Sequence, residues 1–200
     1  GVPVRNLLAW DGEAAADLGG GCNNTVQTLA SDGDRLYAGG WFTQAGDTPA
    51  QHVACWDGVS WSDLDGGITG IQQTNADDYG DPYIYRPVVY SLAVAADGLY
   101  VGGVFALAGG DSINALARWD GDGWQESPEL SLGPITDAYS MDIWQDFPPY
   151  VLALAADAAG EPVVAGRFSL PGQPGTYSVT RRGPTGWSTP GSGLNYDYTT

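Results

Sequence analysis

Three phenylalanines stand at a fixed step in this 200-residue chain: Phe42, Phe105 and Phe168 are each 63 residues apart. Trp61, Trp124 and Trp187 keep the same step. Trp56 and Trp119 keep it too, and Arg182 takes the third place in their series. One period carrying the same chemistry marks a repeat architecture, in which each unit buries its apolar face against its neighbours. The cleanest copy runs Leu99-Tyr100-Val101-Gly102-Gly103-Val104-Phe105, then Ala117-Arg118-Trp119-Asp120-Gly121-Asp122-Gly123-Trp124.

Each unit reads as four short strands. In the first, Thr25 to Ala30 precedes a turn at Asp32-Gly33-Asp34, and Leu36 to Phe42 follows. A polar loop from Thr43 to Gln51 leads to His52–Trp56, a tight turn at Asp57-Gly58, and a last strand at Trp61–Leu64. The same order recurs, giving full units over 25–66, 88–128 and 150–190. Residues 6–19 hold only the third and fourth strands, with Ala15 where later copies carry their second Trp. The third unit departs most, with Ala165-Gly166 for Gly-Gly and Arg182-Gly183 for Trp-Asp. Thirty glycines, eight Trp and eleven Tyr, with no Lys, favour strands and turns over helices. The expectation is an all-β chain of β-propeller blades, each of four antiparallel strands, about three and a half of them within a single propeller or propeller segment over 1–200. The glycine pair would let the inner strands of neighbouring blades approach closely, and the Trp and Phe anchors would pack between blades.

The run Leu-Tyr-Val-Gly-Gly followed by Arg-Trp-Asp-Gly-x-x-Trp resembles a kelch-type blade. It is similar also to the repeats of bacterial surface propellers and related fungal cortical proteins. Phe42, Thr43 and Ala45-Gly46, then Phe105 and Ala108-Gly109-Gly110, carry that likeness over most of residues 6–195. The resemblance implies a binding or surface module and leaves the activity open. A copper oxidase on such a scaffold would need Tyr, His and Cys ligands, and this chain has a single His.

Two connections are long. Thirty-one residues separate Trp61 from Leu92 and 30 separate Trp124 from Leu154, where 14 separate Ala15 from Leu29. Strand parity puts both insertions, 68–87 and 132–150, on the side of the second-to-third connections, with Asp47 and Asp111. Loops grafted on a rigid scaffold carry function. The candidate partner- or ligand-binding residues are therefore Asp77, Asp78, Tyr79, Asp81, Tyr83 and Tyr85 in the first insertion, and Asp137, Tyr139, Asp142, Trp144, Asp146 and Phe147 in the second. Aromatic faces with carboxylates suit sugar rings. Asp77, Asp78 and Asp81 offer oxygen ligands for a calcium ion. Asp120-Gly121-Asp122-Gly123 lacks the closing Glu of a calcium loop and reads as a hairpin turn.

No catalytic constellation stands out. His52 is the only candidate for a Ser–His or Cys–His pair and falls at the start of a third strand, and no carboxylate pair is singled out by spacing. The net charge of −17 argues against nucleic acid as a partner, and no apolar run is long enough for a membrane span. Cys22 and Cys55 are compatible with one disulfide without requiring it. Asn23-Asn24-Thr25 fits a glycosylation sequon. The expected role is a non-enzymatic interaction or structural propeller, extracellular or on the cell surface, binding a protein partner or joined by further blades of other chains. A carbohydrate-binding or glycoside-active propeller is the alternative. Three and a half blades lack inner strands to close a ring, so the edge of Asn6–Trp10 is expected to be unpaired or paired to another chain.

Overall fold

The computed structural model describes residues 5–70, 72–76, 82–126, 135–136, 146–147, 149–168, 178–184 and 186–189. These form strands, turns and irregular backbone; none of them is helical, so no helix among them is long and apolar enough to cross a membrane.

The chain opens with a two-stranded hairpin, β1 (Leu8–Trp10) and β2 (Ala15–Asp17). Next come β3 (Val26–Ser31), β4 (Leu36–Gly40), the short β5 (Gln44–Ala45) and β6 (Thr48–Pro49), then β7 (Val53–Trp56) and β8 (Trp61–Ser62). Strands β3-β4-β7-β8 form sheet I, ordered as in the chain. The first long connection holds β9 (Ile68–Thr69), β10 (Gln72–Ala76) and β11 (Pro82–Tyr85). Sheet II consists of β12 (Val88–Ala95), β13 (Gly98–Val104), β16 (Leu116–Trp119) and β17 (Trp124–Gln125), with β14 (Leu107–Ala108) and β15 (Asp111–Ser112) between its second and third strands. The second long connection holds β18 (Ile135–Thr136) and β19 (Asp146–Phe147). Sheet III is β20 (Tyr150–Ala156), β21 (Pro162–Arg167), β22 (Ser178–Gly183) and β23 (Gly186–Ser188).

Every neighbour in the three sheets is antiparallel, and the first strand of each bulges at one place, between Val26 and Thr28, Val89 and Ser91, and Val151 and Ala153. Sheet I packs on sheet II through β3 and β12, and sheet II on sheet III through β12, β13 and β20. The described sheets do not close into a ring. Burial follows position. Strand β13 of the middle sheet is buried at every residue after Gly98, whereas Leu152 of β20 is 52% exposed.

Three apolar clusters fill the joints. One around Phe42, Ala54 and Trp61 lies between the opening hairpin and sheet I. A second, around Tyr37, Val53, Leu92, Phe105 and Trp124, lies between sheets I and II. A third, around Tyr100, Leu116, Val151 and Phe168, lies between sheets II and III. The three period-setting phenylalanines are all fully buried. Burying each stabilises the fold by roughly 2–3 kcal/mol. The tryptophan pairs have ring centroids 5.4 Å apart, tilted at 48° for Trp56–Trp61 and edge to face at 63° for Trp119–Trp124. The second Trp of each pair also reaches back one unit: Trp61 Nε1 donates to the Leu18 carbonyl and Trp124 Nε1 to the Leu64 carbonyl, each at 2.7 Å.

The glycine pairs divide their work. A Cβ built on the first glycine would meet the next sheet, 2.5 Å from Val89 Cγ1 at Gly39 and 2.5 Å from Val151 Cγ1 at Gly102. A Cβ on the second would strike its own first strand, at 2.2 Å from the Thr25 carbonyl for Gly40 and 2.0 Å from the Val88 carbonyl for Gly103. Gly166 keeps that second role in sheet III, 2.2 Å from the Tyr150 carbonyl, while the first position holds Ala165.

Candidate functional site

The side of the sheets that carries the second-to-third connections is built by backbone pairing between units. Cys22 bridges Ala45, and the Gly46 amide donates to the Gly21 carbonyl at 2.7 Å. One unit on, β9 pairs with β14 (Ile68 opposite Ala108), and the Gly109 amide donates to the Gly67 carbonyl at 2.9 Å. Strands β9, β14 and β15 thus form a separate three-stranded sheet, and the first long connection runs alongside the loop holding Asp111. From there the chain enters the β10–β11 hairpin, and β10 comes against β19 of the second long connection. The two insertions therefore share a side. They also carry ladders of their own where the sequence reading expects loops.

Of the predicted residues, Tyr83 and Tyr85 lie on β11, with Tyr85 opposite Gln72. Asp146 and Phe147 lie on β19, opposite Thr136 and Ile135. Asp77, Asp78, Tyr79, Asp81, Asp137, Tyr139, Asp142 and Trp144 lie outside the described residues, and with them the calcium-ligand candidates. Among the described residues no three metal-ligating side chains cluster.

His52 is a structural residue. It is buried, its Nδ1 lies 3.2 Å from the Gly40 carbonyl, and burial pushes its basicity below the ordinary imidazole value. Its backbone has φ of 65°, and Asn6 and Ala115, one unit before and after, match it at 57° and 59°. That kink lets the His52 amide donate to the Phe42 carbonyl at 2.9 Å while its carbonyl accepts from the Gly40 amide at 2.9 Å. The counterpart of His52 is thus Ala115.

Cys22 and Cys55 are both free thiols, buried in different clusters. Burial pushes the Cys22 thiol up to about 11, so it is protonated and inert at neutral pH. The Asp120 run is a hairpin turn, as read from sequence: Oδ1 of Asp120 accepts from the amides of Asp122 and Gly123, both at 3.0 Å. Asp11 and Asp57 hold the equivalent turns in the same way.

The opposite side, where the hairpin turns lie, carries a charged cluster for which the sequence reading assigned no role. Arg182, standing where earlier units have Trp, donates from Nη1 to Asp97 Oδ2 at 2.6 Å and to the Tyr100 hydroxyl at 2.7 Å. Its Nε donates to Glu161 at 2.8 Å, and its guanidinium lies 5.9 Å from the Tyr100 ring centroid. Arg118 adds a 3.1 Å contact to Asp97. Desolvation works to raise the Asp97 carboxyl, but the hydrogen bond and charge of Arg182 and the charge of Arg118 outweigh it and hold the group below the ordinary value. Burial and the Asp97 charge push the Tyr100 phenol up to about 12. At the preceding joint Trp119 takes the place of Arg182, and a cleft of about 240 Å³ opens between Asp32, Arg35, Tyr37, Gly98, Trp119 and Asp120. Gly98 lines it, and the residue at the equivalent place one unit on is Glu161, the partner of Arg182.

Compared with known proteins, the chain matches no family model and no curated protein.

Proposed function

We propose that the sheets are blades of a β-propeller of kelch-like type, and that this propeller is an interaction module, extracellular or at the cell surface, taking its partner on the insertion side. The propeller reading is supported by three meanders in chain order, with the same residues joining one to the next. The partner reading rests on one observation: β10 and β19, from insertions far apart in the chain, come together beside β9, β14 and β15. Two elaborated connections meeting on one side make a platform that folding of the sheets does not require. Asp77, Asp78, Tyr79, Asp81, Tyr83 and Tyr85, with Asp137, Tyr139, Asp142, Trp144 and Asp146, are the contact residues in this reading. The test is a chain in which 70–87 and 132–149 are each cut to the length of the β2–β3 connection, applied to immobilised protein and glycan libraries. Binding lost with an unchanged melting temperature is the expected result. Binding that survives both deletions sinks the proposal.

The cleft between sheets I and II favours a second reading, a sugar-binding propeller. Tyr37 and Trp119 line its apolar wall, and Asp32, Arg35 and Asp120 offer polar groups for hydroxyls. A glycan-array signal that survives the loop deletions and is abolished by Arg35→Ala would select it.

A further inference from the structure

The sheets meet through a joint that occurs twice with the same parts. At the first, the Thr28 hydroxyl accepts from the Leu92 amide at 3.2 Å, and Gly39 makes room for Val89. At the second, the Ser91 hydroxyl accepts from the Leu154 amide at 2.8 Å, and Gly102 makes room for Val151. Each joint thus has a giving edge, a hydroxyl and a glycine, and a receiving face, a valine and the leucine three residues on. The receiving face of sheet I is Val26 and Leu29. Leu29 is 48% exposed, against 6% for its counterpart Leu92. Beside it, β1 pairs only with β2 among the described residues, whereas its counterpart β7 is held on its other edge by β4. Trp10 is 63% exposed where Trp119 is 9%. Between the two features runs a groove of about 340 Å³ lined by Asn6, Leu7, Val26, Gln27, Thr28 and Leu29.

We propose that this groove receives a two-stranded hairpin of the same class as β3–β4 and β12–β13, carried by a polypeptide other than a second copy of this chain. Its second strand extends the ladder at β1. Its first strand sets a Ser or Thr hydroxyl on the Leu29 amide, and its glycine lies over Val26. The existing joints define this occupant, because the receiving face repeats theirs residue for residue. A second copy fits poorly. The giving edge it has free is that of sheet III, with Ala153 in place of the hydroxyl and Ala165 in place of the glycine. Ala153 offers no acceptor, and the Ala165 Cβ would occupy the space that Gly39 and Gly102 leave to a valine.

The probe is a labelled peptide spanning residues 88–105, titrated with the full chain. Saturable binding is expected, with the emission of Trp10 moving to shorter wavelength and that shift absent in Trp10→Phe. A peptide carrying Ser91→Ala and Gly102→Ala should bind about tenfold more weakly or worse. So should the native peptide to Leu29→Asp, a change at an exposed position that leaves the sheets intact. Equal binding of both peptides, or none up to about millimolar concentration, overturns the proposal. So does a dimer of the chain alone, seen by sedimentation and dissolved by Leu29→Asp, because a second copy would then hold the groove.

Discussion

Gly102 lies on the sheet face where the next sheet arrives, and the space it leaves is taken by a valine. Gly102→Ala puts a methyl 2.5 Å from Val151 Cγ1 and 2.9 Å from its Cβ, on a β-branched side chain that is fully buried. Such overpacking costs about 1–3 kcal/mol, read as a fall in the urea midpoint. Ala165→Gly, the reverse change at the equivalent place in sheet III, should cost only about 0.5–1 kcal/mol, from backbone entropy alone. A Gly102→Ala protein as stable as the parent would mean that sheets II and III do not meet as described. Asp97 gives a second test. Its folded-state carboxyl titrates below the ordinary value of 3.8, so its contribution is fully present above the unfolded pKa and is lost as pH falls through the folded one. Asp97→Asn should therefore be less stable than the parent by about 1–3 kcal/mol at pH 7, and the gap should close below about pH 4. A gap that is constant from pH 7 down to pH 3 would show that the charge on Asp97 contributes nothing.

The strands of sheets I and II were legible because Gly-Gly, Phe and Trp-Asp-Gly recur at one step, each tied to a place in the unit where packing demands it. The short ladders were not. Strands β5, β6, β9, β14 and β15 have two residues each, too few to show alternation; β5–β6 and β14–β15 are hairpins within one connection, and β9 exists because one unit's connection lies against the next. Strand β10, Gln72-Gln73-Thr74-Asn75-Ala76, has no apolar alternation at all. The candidate site was legible as composition, through the acidic and aromatic run of the insertions. The Arg182–Asp97 contact spans 85 residues and showed only as a departure from the repeat. The Asp-Gly hairpins give a prediction of their own. Asp120→Ala removes the acceptor for two exposed amides and should lower the melting temperature slightly, by an amount that neither added calcium nor chelator changes. A calcium-dependent loss at Asp120 would mean that the turn is an ion site.

Across the whole molecule, protection should follow the packing order. Among the described residues, sheet II lies between two other sheets, sheet I between sheet II and the small opening hairpin, and sheet III against sheet II alone, while the hairpin itself is mostly exposed. Hydrogen exchange should therefore be slowest in β12 and β13, faster in β20, and fastest in β1 and β2. Equal protection in β13 and β1 would contradict that order. Phe105→Ala, at the joint of sheets I and II, should cost about 3–5 kcal/mol, measured by denaturant unfolding, and should speed exchange in both sheets together.

Ala153 and Ala165 also bear on growth. A molecule with a receiving face at one end and a matching giving edge at the other would add copies of itself head to tail, and such contacts lead to open filaments unless the rotation closes a ring. Here the two ends do not match, because sheet III has alanine at both places that complementarity needs. If the groove takes a hairpin as proposed, the two alanines bar that head-to-tail contact between the described sheets of two copies, and a single pair of methyl groups then separates an assembly that stops from one that propagates.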